Sequence, residues 1–274
     1  MPWPGATVSG MPHDLPKVKI CGVTRVQDAE LATELGAWAL GMVFYERSPR
    51  QCSMPAARDI AASLRRRVEL CGVFVNASFE QIAATAQELE LTLVQLHGDE
   101  GPAFCAEVVR RTGARVIKAV QVRTSGDVQD AKRYRTDFHL LDARGSSPRT
   151  RELRGGTGET FDWSLLAARR SRVPLILSGG LSSDNVADAI AMTARRRLFA
   201  VDTASGTEAA PGRKSPERLR AFFGEVQRAN ALLEAEADAR ERARAAPGLD
   251  GQSEGVPAAT GAAVPAPTVT VGRS

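Results

Sequence analysis

Eight short apolar segments, each followed by a segment with helical periodicity, constrain the fold of this chain more than any other feature of the sequence. The apolar segments lack the alternation of a half-exposed strand, so they predict strands that are buried on both faces of a parallel sheet. Eight strand–helix units repeating about every 25 residues predict an α/β fold, a single-domain TIM (β/α)8 barrel. The predicted strands are Val18–Cys21, Ala39–Phe44, Leu70–Val75, Leu93–His97, Arg115–Val122, Phe138–Ala143, Leu175–Ser178 and Leu198–Thr203. The predicted helices are Asp28–Leu35, Pro55–Arg66, Phe79–Leu89, Gly101–Arg111, Gly126–Tyr134, Asp162–Arg170, Ser182–Met192 and Ser215–Ala235.

An open doubly wound sheet is the alternative architecture for such a repeat. That fold usually carries a glycine-rich dinucleotide-binding loop after its first strand. Here the first strand ends in Cys21-Gly22-Val23-Thr24-Arg25, which has no such pattern. The barrel is therefore the preferred prediction.

The predicted barrel domain occupies residues 17–228. Residues 1–16 are rich in Pro and Gly and predict a flexible N-terminal arm. From about Asn230 the composition changes, and the Ala-, Glu- and Arg-rich stretch Ala231–Arg244 predicts an extension of the last helix. Residues 246–274 are rich in Pro, Gly, Ala and Thr, so we expect 229–274 to form a helical extension and a disordered tail.

Composition and cysteine usage favour a cytoplasmic globular protein. The chain is 43% hydrophobic, and no apolar run approaches the roughly 20 residues of a membrane span. The first residues carry neither a basic start nor an apolar segment typical of a signal peptide. The four cysteines are scattered without a CxxC pair and the three histidines are isolated, so we expect free thiols and no metal.

The net charge of +4 is carried largely by arginine runs at the predicted ends of helices. No aromatic residues are interleaved with these runs, which favours a solvated surface over a nucleic-acid-binding site. A modest positive field would also favour a small anionic substrate.

Polar or reactive residues follow seven of the eight predicted strands. In a barrel of this kind the active site lies at the carboxyl ends of the strands, so these side chains should share one rim. They are Cys21, Arg50, Asn76, His97, Asp142, Ser178 and Asp202. Asp142 closes an otherwise apolar strand, where a carboxyl group in a partly dry site could act as a general acid.

Three glycine-rich loops predict an anion site at one corner of this rim. They contain Gly156 and Gly158 after strand 6, Ser178-Gly179-Gly180 after strand 7 and Ser205-Gly206 after strand 8. Glycine allows backbone N–H groups to approach an anion closely, and loops after strands 7 and 8 are the usual phosphate site of these barrels. A phosphorylated substrate is the prediction.

Nine stretches of the sequence, in this order, carry a resemblance to a known family. They are KICGVT (Lys19–Thr24), GMVFYERSPR (Gly41–Arg50), GVFVN (Gly72–Asn76), VQLHGDE (Val94–Glu100), IKAV (Ile117–Val120), LLDA (Leu140–Ala143), GGTGETFDWSLL (Gly155–Leu166), LSGGL (Leu177–Leu181) and AVDTASGTE (Ala200–Glu208). Through them the chain resembles the phosphoribosylanthranilate isomerases of tryptophan biosynthesis, over roughly Lys17 to Phe223.

The resemblance implies a cofactor-free barrel enzyme, monomeric or homodimeric, that catalyses an Amadori rearrangement of a small sugar-phosphate substrate. The family's catalytic cysteine falls on Cys21, the general base, and its catalytic aspartate on Asp142, the general acid. Its substrate-contacting arginine falls on Arg50, which could pair with the anthranilate carboxylate. We expect His97 and Asp202 to bind substrate as well, with Asp202 accepting from the anthranilate amine. As base, Cys21 needs a lowered pKa or a thiolate that forms on binding.

Two positions depart from the family pattern. Ala204-Ser205 stands where a serine pair is expected after strand 8, so one hydroxyl contact to phosphate is missing. Glu159 stands where Lys or Gln is frequent, and we expect its carboxylate to point away from a phosphate.

Other sugar-phosphate barrels fit the sequence less well. The related histidine-pathway isomerase has an aspartate at the end of its first strand, where this chain has Cys21. Tryptophan synthase α subunit and indole-glycerol-phosphate synthase lack the KICG opening. A barrel that binds phosphate but has lost catalysis is disfavoured because Cys21 and Asp142 are both present.

Overall fold

Eight parallel strands close into a barrel, as the sequence predicts. The computed structural model describes residues 15–143, 158 and 160–245. Within them the strands pair in chain order, and β8 pairs with β1 to complete the closure. They are β1 (Lys17–Cys21), β2 (Ala39–Phe44), β3 (Glu69–Phe74), β4 (Leu93–Leu96), β5 (Arg115–Val122), β6 (Phe138–Ala143), β7 (Leu175–Leu177) and β8 (Leu198–Thr203).

Helices cover the outside of the described barrel. They are α1 (Val26–Glu34), α2 (Met54–Leu64), α3 (Phe79–Glu88), α4 (Pro102–Thr112), α5 (Ser125–Asp130), α6 (Val186–Thr193) and α7 (Pro216–Ala245). Ser78 caps α3 with a complete capping box, which explains why this helix begins where the sequence predicts. The predicted extension of the last helix is confirmed as far as Ala245, and residues 246–274 lie outside the described part of the chain.

The predicted helix Gly126–Tyr134 is an α-helix only over Ser125–Asp130 and continues as a 3-10 helix over Ala131–Arg133. Two other predicted helices differ more from the structure. Instead of an α-helix over Asp162–Arg170, a short 3-10 helix spans Trp163–Ala168. It ends where the buried Arg169 guanidinium turns towards backbone carbonyls, with Nη1 3.1 Å from the oxygens of both Ser171 and Arg196.

The second difference lies after β7, where α6 begins at Val186 and not at Ser182. Side chains bind the backbone of this turn: Ser182 N–H donates to Asn185 Oδ1 at 2.9 Å, and Asn185 Nδ2 donates to Gly180 O at 3.0 Å. Such local bonds compete with the helical pattern and delay the first turn.

The core has two parts, one inside the barrel and one between the strands and the helices. The interior part contains residues such as Val73, Leu93, Ile117, Leu140 and Ile176, all buried. At its amino-terminal end Trp38, Phe138 and Phe199 pack together, with ring centroids 4.9 to 5.5 Å apart. These aromatic rings fill the end of the barrel that lies opposite the predicted rim.

A short hairpin after β8 was not predicted. Strands β9 (Glu208–Ala210) and β10 (Arg213–Lys214) are antiparallel, and they lie between β8 and α7 in the chain. Thr24 Oγ1 donates to Gly212 O at 2.5 Å, and Lys214 N–H donates to Asp28 Oδ2 at 3.0 Å. The hairpin is thereby tied to the segment that follows β1.

Within the described ranges, every helix is too short or too polar to cross a lipid bilayer.

Candidate active site

A pocket opens at the carboxyl ends of the barrel strands. Six of the seven predicted rim residues line it. Its lining comprises Cys21, Val43, Tyr45, Ser48, Arg50, Val73, Val75, His97, Asp142, Ser178, Gly179, Gly180, Leu181, Asp202, Thr203, Ala204 and Ser205. Cys21 belongs to β1 and Asp142 to β6, so the two predicted catalytic groups face one chamber from different sides of the barrel.

Cys21 ends β1 and is only 8% exposed. Burial raises the pKa of its thiol above the ordinary value, the Lys19 and Lys214 ammonium groups oppose this rise, and the Asp202 carboxylate adds to it. This direction is opposite to the lowered pKa that is one of the two expectations for a cysteine base. The other, a thiolate that forms on binding, stays a prediction.

Lys19 lies in β1 two residues before Cys21 and is fully buried. Its Nζ is 2.6 Å from Asp202 Oδ1, and Asp202 Oδ2 accepts from Ser178 Oγ at 2.9 Å. Burial alone would lower the pKa of Lys19, but attraction by Asp202 and by Cys21 raises it above the ordinary value, so this lysine is charged. Both oxygens of Asp202, a predicted substrate ligand, thus already have protein partners.

Asp142 is 2% exposed and contacts His97, whose Nε2 lies 3.1 Å from Asp142 Oδ2. On the other side of the ring Gln95 Nε2 lies 2.8 Å from His97 Nδ1. In this amide orientation Gln95 donates to Nδ1, so the neutral imidazole carries its hydrogen on Nε2 and donates it to Asp142. Gln95 Oε1 is buried without a hydrogen-bond partner.

Arg50 reaches the pocket from the loop after β2 and forms a bidentate ion pair with Glu208. Arg50 Nε lies 2.9 and 3.1 Å from the two Glu208 oxygens, and Nη2 lies 2.8 Å from Oε2. Lys214 Nζ contacts the same carboxylate at 3.3 Å and donates to Cys21 O at 2.7 Å. The hairpin thus braces both Arg50 and the end of β1.

The predicted phosphate corner is formed in part. Ser178, Gly179, Gly180 and Ser205 line the pocket, and Gly179 and Gly180 have φ angles of 92° and 61° that favour glycine. A Cβ on Gly179 would lie 2.5 Å from Ala143 N, so the loop after β7 can approach β6 only because this position is glycine.

The remaining predicted phosphate ligands lie elsewhere or outside the described residues. Gly206 does not line the pocket, since it packs against the Leu181 carbonyl. Gly158 is exposed and also lies outside the lining. Gly156 and Glu159 fall in the part of the chain that the structure does not describe.

Comparison with known families decides which of the sugar-phosphate barrels this is. The family model of N-(5'phosphoribosyl)anthranilate (PRA) isomerase matches residues 18–225. The chain belongs to the PRA isomerase family. The resemblance that the sequence motifs carry is thereby confirmed.

Relatives and solved structures agree with this assignment. The N-(5'-phosphoribosyl)anthranilate isomerase of Citrifermentans bemidjiense is 45% identical over 212 residues, which cover 77% of this chain and 97% of the relative. The crystal structure of the phosphoribosyl anthranilate isomerase from Thermus thermophilus has a TM-score of 0.68 at 35% identity and covers 77% of this chain and 98% of its own. A phosphoribosyl anthranilate isomerase in complex with reduced 1-(o-carboxyphenylamino)-1-deoxyribulose 5-phosphate has a TM-score of 0.64 at 37% identity, covering 78% of this chain and 99% of its own.

In this PRA isomerase one of the predicted rim residues, Asn76, stabilises a loop and does not line the pocket. Asn76 has a φ of 51° and does not line the pocket. Its N–H donates to Glu100 Oε1 at 2.9 Å, and its Oδ1 accepts from Asp99 N–H at 2.7 Å. Asn76 therefore holds the loop after β4, which carries His97, in place.

Sequence reasoning missed the charged groups behind the pocket. Glu208 and Lys214 carry no signal of their own, because their position depends on the hairpin. Gln95 could have been found, since it lies two residues before His97 in a strand and therefore points to the same side. The same rule applies to Lys19 and Cys21 in β1.

Proposed function

We propose that Asp142 is the general acid and Cys21 the general base with which this PRA isomerase converts N-(5'-phosphoribosyl)anthranilate to 1-(o-carboxyphenylamino)-1-deoxyribulose 5-phosphate. The observation that carries the proposal is that these two groups line one pocket from β6 and β1. An acid and a base on opposite sides of a bound sugar can act on different atoms without touching each other.

In the first step Asp142 donates a proton to the furanose ring oxygen. The bond between that oxygen and C1′ breaks, and the anthranilate nitrogen lone pair forms a C=N bond, giving an iminium ion. His97 donates to the Asp142 carboxylate that remains, which stabilises the charge left by proton transfer.

In the second step the Cys21 thiolate removes the proton from C2′. The C–H electrons form a C1′=C2′ double bond and the iminium nitrogen regains its lone pair, giving an enolamine. Tautomerisation moves a proton to C1′ and leaves a ketone at C2′. The positive iminium makes the C2′ proton acidic, so a cysteine thiolate is a strong enough base to remove it.

Different groups at the two ends of the pocket would orient the substrate. Gly179, Gly180 and Ser205 would hold the phosphate at the loops after β7 and β8. Ser178 donates its hydroxyl to Asp202 and its N–H to Leu141 O, so it stays a prediction for this role. Gly206, Gly156 and Gly158 stay predictions for this role. Arg50, held by Glu208 at the pocket wall, would face the anthranilate carboxylate, with Asp202 near the amine.

We further propose that residues 17–228 form the isomerase domain, which agrees with the family match over 18–225. A cytoplasmic location is supported by the four cysteines, all of which are free thiols. Monomer and homodimer both stay open for this chain; a structural relative from Thermotoga maritima is described as dimeric. Light scattering after size exclusion would decide between them.

The test is a fluorescence assay that follows the loss of freshly generated phosphoribosylanthranilate. We expect wild-type turnover, and kcat lowered by about 10²- to 10⁴-fold in both Cys21→Ser and Asp142→Asn. The matched controls are Cys105→Ser, a buried thiol outside the pocket lining, and Asp137→Asn, a carboxylate just before β6, and both should keep most of the activity.

Each other outcome has a defined meaning. Binding of the product analogue without wild-type turnover would contradict the proposed function and support a barrel that has lost catalysis. Turnover that survives Asp142→Asn would leave the activity in place and overturn the choice of acid.

A further inference from the structure

Lys19 is a buried charge directly behind the proposed base. Successive side chains of a strand alternate between faces, so Lys19 and Cys21 both point into the barrel. Lys19 is paired in register with Asp202 across β1 and β8, and its Nζ is 2.6 Å from Asp202 Oδ1. Lys19 does not line the pocket, so its ammonium lies beneath the reacting groups and out of contact with substrate.

The Lys19 ammonium is also a neighbour of the Cys21 sulfur. Attraction by this ammonium opposes the rise that burial causes in the pKa of the Cys21 thiol. Gly41 on β2 explains how they come together: a Cβ there would lie 2.9 Å from Cys21 Sγ and 3.2 Å from Lys19 Nζ. Because Gly41 has no side chain, the Cys21 thiol and the Lys19 ammonium can both occupy the space beside it.

The charged groups around the sulfur leave room for one more negative charge. Two buried ammonium groups, Lys19 and Lys214, attract a negative charge on the sulfur, whereas one buried carboxylate, Asp202, repels it. The neighbouring Cys71 thiol does not alter this balance, because burial raises its pKa to about 12 and keeps it protonated. A thiolate at Cys21 would neutralise the group, and a buried charge is stable only when it is paired.

We propose that Lys19 is a positioning residue whose ammonium group donates to Cys21 Sγ and stabilises the thiolate on which proton abstraction depends. The proposal rests on the proposed function, in which Cys21 is the base. Asp202 opposes this effect: it holds the ammonium in place, but its own negative charge disfavours a second anion on the sulfur. Lys19 and Asp202 should therefore shift the acidity of Cys21 in opposite directions.

The experiment measures the rate of iodoacetamide alkylation of each cysteine as a function of pH, in the absence of substrate. Peptide mass spectrometry separates the alkylation of Cys21 from that of Cys52, Cys71 and Cys105. Because only thiolates react, the midpoint of each profile reports that thiol's pKa. In Lys19→Met we expect the Cys21 midpoint to move up by at least one pH unit, with a tenfold lower rate at pH 8. In Asp202→Asn we expect it to move down.

The matched control is Lys118→Met, which also removes a buried, ion-paired lysine from a barrel strand. Lys118 donates to Gly98 O and Glu100 and influences the Cys105 thiol instead. This variant should raise the Cys105 midpoint and leave that of Cys21 in place. A purely structural role for Lys19 would lower the melting temperature without this specificity.

An unchanged Cys21 midpoint in folded Lys19→Met would overturn the proposal. If that variant does not fold, Asp202→Asn decides alone, since a midpoint that does not fall contradicts the opposing charges. The alkylation profiles do not depend on turnover. Failure of Cys21 as base would appear separately, as activity retained in Cys21→Ser while Lys19→Met still shifts the thiol midpoint.

Discussion

His97 donates through Nε2 to Asp142 Oδ2 over 3.1 Å, so the proposed acid has one defined protein partner within the pocket. Gln95 fixes the other side of the ring over 2.8 Å. Its amide carries both a donor and an acceptor, and it can therefore serve either tautomer of His97 as Asp142 gains and loses its proton.

Replacing Gln95 by Met should lower kcat by about fivefold, since the loss of one hydrogen bond is worth about 1 kcal/mol. Methionine keeps an unbranched side chain of similar length but can neither donate to nor accept from His97. Steady-state kinetics with the fluorescence assay would measure the effect. A wild-type kcat in the folded variant would show that the orientation of His97 does not depend on Gln95.

The ion pair between Arg50 and Glu208 should be important for stability and for substrate affinity. In Glu208→Gln two buried cations, Arg50 and Lys214, lose their carboxylate, and we expect a loss of about 3 kcal/mol in the free energy of unfolding. KM should rise more than kcat falls, because Arg50 loses its orientation. The exposed pair Arg58–Glu88 is the control, and Glu88→Gln should cost less than about 1 kcal/mol. Urea unfolding of the two variants would contradict the expectation if it gave equal losses.

Gly41→Ala should reduce turnover while leaving the barrel folded. The added Cβ would lie 2.9 Å from Cys21 Sγ, so the thiol or the Lys19 ammonium has to shift. A displacement of this size at a reacting group can cost about 10²-fold in rate. The control is Gly224→Ala in α7, where no atom lies within 4 Å of the new Cβ and helix propensity favours Ala by about 1 kcal/mol. Retention of full activity in Gly41→Ala would mean that Cys21 does not need its present position.

His139 should make the protein sensitive to acid. Burial lowers the pKa of this imidazole below its ordinary value, and its Nε2 donates to Tyr134 O at 2.9 Å. The unfolded chain therefore binds a proton more readily than the native state, so stability declines as the pH falls below about 6.5, the value in unfolded chains. Urea midpoints at pH 7.5 and pH 5.5 would show this decline. In His139→Gln the difference between the two midpoints should be smaller, and an equal difference would refute the role of His139.

Most of the fold could be predicted because the barrel strands are largely apolar and are separated by segments with helical periodicity. β2, β5, β6 and β8 have the predicted limits, β1, β4 and β7 differ by one residue at one end, and β3 is shifted by one residue at both ends. The connection between β7 and α6 could not be predicted, because bonds from Ser182 and Asn185 to nearby backbone compete with the helix.

In the site, too, residues placed by the local sequence pattern could be predicted, whereas residues placed by long-range contacts could not. Cys21, His97 and Asp142 could be predicted because the chain places them at strand ends. The partners Glu208 and Lys214 could not, because their positions depend on contacts with residues more than 150 positions away in the chain, such as the bond from Lys214 N–H to Asp28.

The packing of Trp38, Phe138 and Phe199 closes the amino-terminal end of the described barrel, so the pocket opens at the carboxyl end of the strands. Substrate enters and product leaves through the same opening, where the loops after the strands meet. The product has to depart before another substrate can arrive, and it competes for the same phosphate corner while it remains. Product release through this opening is therefore a step of every turnover, in addition to the proton transfers.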